Sequence, residues 1–299
     1  NFPYRRNNKN HPSQILYNFK PRFAVPHSTF REILEKSNEN LIATVITRDV
    51  DYSEYDWVTD YYTEKARLMV TIDDPRSPYK LLSKVPTNLD ETAAREWLYE
   101  NGKEVNPFGF SRAVSVLSAL GAKEVVFDPC AGWGDRALAC ESLGLKYLGV
   151  DPNPNLKGPY EEITNDFPNL RFINDAIEDV SIENGIADTV FTSPPFFNKE
   201  IYNKDDPKQS SNRYPQLEDW YEKFLKVMLE KSFAALKVGG NMGVYLANTK
   251  TVSSGVTVLS KYMNSFNGAE YKGTINMVNE RRRHPLKVYV WTKTRVSTI

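Results

Sequence analysis

The sequence predicts an α/β fold, a doubly wound and mostly parallel sheet beginning near Asn106 behind an N-terminal segment of different texture. Three observations predict it. Short apolar runs alternate with helix-patterned segments at the spacing of βα units. The runs are nearly continuous in apolar residues, as strands buried on both faces must be. The last two, "TINMVN" and "LKVYVWTK", are joined by a short basic turn and therefore pair antiparallel.

The elements follow in order. "SRAVSVLSALG" reads as an amphipathic helix closing on Gly121. "KEVVFDPC" is a buried strand, followed by the glycine-bearing turn "AGWGD" and the helix "RALACESLG". "KYLGVD" is a strand ended by Asp151, "NLKGPYEEITND" a helix, and "LRFIND" and "ADTVFTS" two further strands. "LEDWYEKFLKVMLEKSFAALKVGG" predicts one long helix ending at Gly239-Gly240, with the strand "NMGVYLAN" and the helix "TVLSKYMNSF" behind it. The terminal strand pair is expected as a hairpin at one sheet edge. The whole is then a Rossmann-like sheet with an antiparallel C-terminal hairpin. Residues 1–100 are expected as an N-terminal α+β extension with an accessory or substrate-recognition role, and residues 101–299 as the main domain. In the extension "HSTFREILEKSNEN" looks helical with Ser28 or Thr29 as its cap. "DWVTDYYTEKARLMV" fits helix and strand equally, and "DDPRSPYKLL" reads as a turn.

Composition narrows the class. With 40% hydrophobic and 25% charged residues the chain falls among ordinary globular proteins. No apolar run approaches the ~18 residues that would span a membrane. The start, "NFPYRRNNKNHP", has no signal-peptide core and no initiating Met, as expected of a trimmed or processed chain. Two cysteines, Cys130 and Cys140, and three histidines are too few for a disulfide framework or a zinc site, so no metal is expected. A reducing, intracellular setting, cytoplasmic or nucleoid/nuclear, fits best. Formal net charge is zero, which gives no overall drive toward nucleic acid. Yet every charge up to Arg31 is basic (Arg5, Arg6, Lys9, Lys20, Arg22, Arg31), and a second basic run, Arg281 to His284, precedes Pro285. Such runs are commonly solvated surface; phosphate contact is the functional alternative.

In a sheet of this kind ligands bind beyond the carboxyl ends of the strands. The first such end is "DPCAGWGDR", where Gly132 and Gly134 let backbone approach a ligand and start the next helix tightly. That helix N-terminus suits a carboxylate. A plain strand–turn–helix junction has the same look, and Ala137 at the third glycine position departs from the dinucleotide pattern. Asp151, about twenty residues on, is placed to accept from both ribose hydroxyls or to cap a helix. Asp175, after the third strand, is placed to accept from an adenine amino group, or again to cap. Together the three suit a nucleoside bearing a carboxylate, and S-adenosylmethionine is one. The fourth strand end lies in "DTVFTSPPFFNKE", where Pro194 and Pro195 end ladder pairing and stiffen the exit. Ser193 and the Pro194 carbonyl would hold two amino hydrogens there, and Phe196 would stack on a planar group.

"DPCAGWGD", "GVDPN" and "SPPF" resemble the motifs of class I S-adenosylmethionine-dependent methyltransferases, and more narrowly of the amino-methyltransferases acting on adenine N6 or cytosine N4. "AGWGDR" with "SPPFF" and the late "RRRHP" is similar to phage and large-virus DNA methylases. The resemblance covers about Asn106 to Lys293. It implies S-adenosylmethionine as cofactor, held by Phe108 of "NPFGFSR", Asp128, Cys130, Ala131, Gly132, Gly134, Asp151, Pro152, Asn153, Asp175 and Ala176. Ser193, Pro194, Pro195 and Phe196 are then the catalytic loop. Phe197, Tyr202, Arg213, Arg281, Arg282, Arg283 and His284 are candidates for substrate contact, and nucleic acid, DNA before RNA, is the expected partner. Serine in the first tetrad position leans toward cytosine N4. RNA base or protein glutamine N-methylation, which present the same planar amino group, and a non-catalytic nucleic-acid-binding subunit are the alternatives. A cytosine C5 mechanism needs a thiolate at the acceptor site, and neither Cys130 nor Cys140 lies on the fourth strand end.

Overall fold

The computed structural model describes residues 1–19, 41–46, 55–199, 201–278 and 286–296, with the backbone alone for 41–46 and 278. The expected helix over 27–40, Lys20, Arg22 and Arg31, and the basic run Arg281 to His284 lie outside the described residues.

One eight-stranded sheet organises the chain. Its strands are β1 (Leu41–Ile46), β2 (Val125–Asp128), β3 (Lys146–Val150), β4 (Leu170–Ile173), β5 (Ala187–Thr192), β6 (Leu236–Tyr245), β7 (Ala269–Val278) and β8 (Leu286–Lys293). Across the sheet they run β1-β7-β8-β6-β5-β2-β3-β4. All neighbours are parallel except β8, which is antiparallel to both β6 and β7. This is the doubly wound α/β sheet the apolar runs predict, with its order reversing between β2 and β5. The hairpin is not at an edge, however. β8 inserts between β6 and β7, and the N-terminal strand β1 adds to the outer side of β7.

Helices cover both faces. On one side lie α1 (Trp57–Met69), α3 (Phe110–Ala119), α4 (Asp135–Ser142) and α5 (Lys157–Asp166), contributing Val58, Leu117, Leu138 and Ile163 to a buried core; α2 (Glu91–Asn101) belongs to a smaller N-terminal cluster with Phe2 and Leu81. On the other lie α6 (Lys226–Ala235) and α7 (Gly255–Ser265), with Leu229, Phe233 and Met263 in a second core. A π-helical turn, Trp220–Leu225, leads into α6 and buries Trp220 completely. The ambiguous segment 57–69 is a helix because its apolar positions meet α3 and α5 across the first core. The stretch expected as a turn contains a short helix, Pro78–Leu81, with proline at its first position, where the missing N–H is no loss.

The long helix ends earlier than its glycines suggest. It stops at Ala235, where Lys293, 5% exposed, donates to the Phe233 and Leu236 carbonyls (both 2.8 Å). β6 starts at Leu236, and Gly239 (φ 83°) with Gly240 takes up a register shift against β5. A Cβ on Gly240 would sit 2.6 Å from the Asp188 carbonyl, so the glycine serves a close strand approach and not a helix cap.

The N-terminal layer is tied down by charge. Arg67, fully buried, donates to Asp60 (2.8 Å), Glu104 (2.7 Å) and the Val105 carbonyl (2.9 Å). Arg95 donates to Glu64 (2.6 Å) and Glu104 (2.7 and 2.9 Å), and Arg5 pairs with Asp60 and Glu96. This lattice fixes residues 104–105, from which "NPFGFSR" departs.

Candidate active site at the carboxyl ends of the strands

The carboxyl ends of β2, β3, β4, β5 and β6 open on a cavity of about 710 Å³. That is within the size range of small-molecule sites. Phe108, Cys130, Gly132, Asp151, Pro152, Asn153, Ala176, Ser193, Pro195, Phe196 and Tyr202 line it. Tyr4, Arg5 and Lys9 line it too, so the N-terminal segment forms part of its wall.

The glycine turn is shaped by its backbone. Gly132 (φ 58°) and Gly134 (φ 91°) occupy the left-handed region that side-chain-bearing residues avoid. The Gly132 N–H donates to Asp151 Oδ2 (2.9 Å), and its carbonyl accepts from Tyr160 (2.5 Å), whose ring stacks on Phe172 at 4.0 Å. Asp151 Oδ1 accepts from the Asn153 N–H (3.0 Å). Burial, partly offset by these backbone donors, raises the Asp151 carboxyl to about 6. Asn174 donates to the Asp151 and Asn153 carbonyls (both 2.9 Å) and so locks the end of β3 to the end of β4.

Asp128 and Gly134, with Ala131, do not line the cavity. Asp128 is fully buried and accepts from Arg136 Nε (2.6 Å), Tyr147 (2.8 Å) and Thr192 (2.7 Å), joining β2, β3, β5 and α4. Its acceptors are committed to the fold.

Asp175 is also outside the cavity lining. It pairs with Lys208 (2.7 Å) at the surface, and that contact first of all holds its carboxyl below the usual range. Glu178, three residues on, lines the cavity with a buried Oε1 that makes no hydrogen bond and lies 3.7 Å from the Arg213 guanidinium. It is a better placed acceptor for an amino group, and only its position just past β4 marks it in the sequence.

At the end of β5 the chain turns as the paired prolines require. Ser193, Pro195 and Phe196 face the cavity, whereas Pro194 is buried behind them. Neither the Ser193 hydroxyl nor the Pro194 carbonyl has a partner among the described residues. Phe197 has φ 54°, a costly conformation for a bulky residue. That twist sends its ring into the second core against Trp220 (5.9 Å) while Phe196 stays on the cavity. Phe197 is thus a packing residue, not a substrate contact. Phe196 meets Tyr245 edge-on at 5.7 Å, and Tyr245 meets Phe108 in the same way at 5.7 Å. Tyr245, at the end of β6, completes an aromatic wall that no motif signalled.

The segment after Phe196 forms the opposite wall and braces itself. Gln209 Oε1 accepts from the Tyr202 and Asn203 amides (2.7 and 2.8 Å), and Trp220 donates to Ser210 (3.0 Å). Tyr202 packs on Trp133 at 5.8 Å. Arg213 does not reach the cavity: it makes two 2.9 Å bonds to Asp179. Arg6 is likewise occupied, by Glu162 (2.6 Å).

Burial pushes both thiols, Cys130 and Cys140, well above the ordinary range.

No protein-family model and no curated protein sequence matches the chain. Solved structures do. The N-methyltransferase NodS from Bradyrhizobium japonicum is similar over 62% of this chain and 93% of its own, at 11% identity and a TM-score of 0.38. The tRNA methyltransferase TrmI from Aquifex aeolicus is similar over 64% and 71%, at 15% identity and a TM-score of 0.42. A TehB-like S-adenosylmethionine-dependent methyltransferase from Corynebacterium glutamicum is similar over 68% and 97%, at 16% identity and a TM-score of 0.40. The likeness is one of chain course and too loose to carry function to this chain.

Proposed function

We propose that the protein is a methyltransferase that moves the methyl group of S-adenosylmethionine to the exocyclic amino nitrogen of a nucleobase. One observation carries this reading. A Ser-Pro-Pro-Phe loop, stiffened by its paired prolines and presenting the open Ser193 hydroxyl, stands in the same cavity as a ribose-type carboxylate and a glycine turn.

The residues fit the donor. Asp151 keeps free lone pairs for ribose hydroxyls beside its two backbone donors. Ala176 and Glu178 border the place for an adenine ring. Bound there, S-adenosylmethionine supplies an electrophilic methyl on a sulfonium.

On the acceptor side the Ser193 hydroxyl would accept one amino hydrogen, whereas Pro194, whose carbonyl the sequence predicts as the second acceptor, stands behind the cavity lining. The Ser193 contact draws the nitrogen out of conjugation and aims its lone pair. Phe196 and Tyr245 would hold the base by stacking and edge contact, worth about 1–3 kcal/mol per stacked base. As the nitrogen–carbon bond forms the sulfur–methyl bond breaks, leaving a neutral thioether. The methylated nitrogen then loses its extra proton to water, so no general base is needed. A base inside a duplex must be flipped out to reach the cavity.

DNA as the substrate rests on the Ser-Pro-Pro-Phe resemblance alone; RNA bases and protein glutamine offer the same planar amino group. Incubation with S-adenosylmethionine labelled in its methyl group, with DNA, RNA and protein pools side by side, separates the three. The expected product is N6-methyladenine or N4-methylcytosine in digested nucleic acid. Label in glutamine would replace the nucleobase reading, and label in no pool would reject the enzyme.

A further inference from the structure

Residues 201–214, a short way past the Ser-Pro-Pro-Phe loop, are bonded largely to themselves. Gln209, 7% exposed, ties the start of the segment to its middle by accepting from the Tyr202 and Asn203 amides (2.7 and 2.8 Å). Asn212 Nδ2 donates to the carbonyls of Asn203, Lys204 and Asp206 (3.0, 3.2 and 2.8 Å). A surface segment packed by its own side chains behaves as one unit. One bond to the second core, from Trp220 Nε1 to the Ser210 hydroxyl (3.0 Å), supplies a pivot.

On either side of that pivot the segment meets the turn after β4 through charge. Lys208 pairs with Asp175 at 2.7 Å, and Arg213 grips both oxygens of Asp179 (2.9 Å each). A looser pair joins Lys204 to Asp73 (3.6 Å). The side chains of the two close pairs are all solvent-exposed, 32% at the least, and such pairs add little to folding stability. Their placement is more telling. Asp175 and Asp179 bracket Ala176, Ile177 and Glu178, which line the cavity. That turn is itself fixed from below, because Lys231 of α6 gives its three N–H donors to the Ile177, Glu178 and Val180 carbonyls (2.8, 2.8 and 2.7 Å). The turn is the anchored partner, and the segment hangs on it by exposed charge.

We propose that Lys208 and Arg213 are positioning residues that latch residues 201–214 as a lid over the donor side of the cavity, and so set how long the donor stays bound. The proposal rests on S-adenosylmethionine being the donor. Tyr202, Asn203, Lys208, Gln209 and Ser210 line the cavity. A nucleoside seated against Ala176 and Glu178 therefore has the segment as its second wall. Release of the demethylated product requires the same two pairs to part.

Release of tritiated S-adenosylhomocysteine, chased with unlabelled ligand, tests the latch apart from turnover. Lys208→Met combined with Arg213→Met should speed release about tenfold, the joint worth of two exposed pairs, and leave the melting temperature where it was. Lys208→Arg combined with Arg213→Lys keeps both charges and should restore slow release. In the unmodified protein release should quicken severalfold between about 0.05 and 0.5 M salt, because exposed pairs are screened. The methionine variant should lose most of that dependence, while every other charge in it is unchanged. Equal release rates in the unmodified protein and the methionine variant, or the same salt dependence in both, would overturn the latch. So would a melting temperature lowered in step with faster release, since the pairs would then act through the fold. If the unmodified protein bound no S-adenosylhomocysteine, the latch would fall together with the methyl-donor reading. Failure of the latch alone leaves that binding intact, so the two failures are distinct.

Discussion

Two charged regions of this molecule behave in opposite ways. In the N-terminal layer Asp60, Glu64, Arg67, Arg95 and Glu104 are buried and joined into one lattice, with Arg67 Nε its only donor left without a partner. Beyond the strand ends, Asp135 Oδ1, the Ser193 hydroxyl and Arg112 line the cavity with capacity unspent among the described residues. Burial alone does not separate them, since Asp135 is as deep as Glu64. Whether the partners are already inside the protein does. Matched charges hold the fold, and unmatched ones facing a cavity await a ligand.

The comparison can be broken at its rigid end first. Arg67→Met should cost about 3–5 kcal/mol, because Asp60 and Glu104 are left buried with fewer partners. Urea unfolding measures it, and a neutral result would mean that the lattice is not structural. Next comes the open end. Ser193→Ala should lower methyl transfer about a hundredfold to a thousandfold, the usual effect of removing one positioned hydrogen-bonding group. Its affinity for the donor should stay the same if, as proposed, Ser193 serves the acceptor.

A smaller effect concerns pH. Burial raises Asp56 to about 6, so the folded protein keeps a proton there that the unfolded chain gives up near pH 4. This contribution to stability is therefore lost as pH rises from about 4 to about 6. Asp151, also raised to about 6, adds to the same fall. Asp56→Asn should remove its share, visible as urea midpoints that change less between pH 4 and pH 7. The smallest effect is expected at the surface. Lys208→Ala breaks an exposed contact with Asp175 and should leave the melting temperature unchanged within error.

Much of this architecture was legible in the sequence, for a physical reason. Parallel strands buried on both faces must be apolar throughout, and "KEVVFD", "KYLGV" and "ADTVFT" can be little else. The turn at Gly132 and Gly134 and the exit at Pro194-Pro195 were legible because positive φ and a missing N–H leave few residue choices. What stayed hidden depends on partners far away in the chain. Strand β1 joins β7 more than 220 positions later, and nothing local in a Pro- and Tyr-rich segment announces that pairing. Gly239-Gly240 looks like a helix stop until the close approach of Asp188 is known.

The candidate site divides in the same way. Asp151, Ser193 and Phe196 sit where strand-end reasoning puts them. Asp128, Asp175 and Arg213 were misjudged because Arg136, Lys208 and Asp179 take up their charges first. Asp135 follows the glycine turn directly, and Arg112 belongs to the segment before it. The burial and unfilled Oδ1 of Asp135, and the lack of an ion pair at Arg112 among the described residues, are three-dimensional facts.

The most direct test is a crystal structure with S-adenosylhomocysteine. The ribose is expected on Asp151, and the sulfur in the common cavity facing Ser193 and Phe196. Ligand density elsewhere on the protein, or a sulfur turned away from that loop, would contradict the assignment of donor and acceptor to one site.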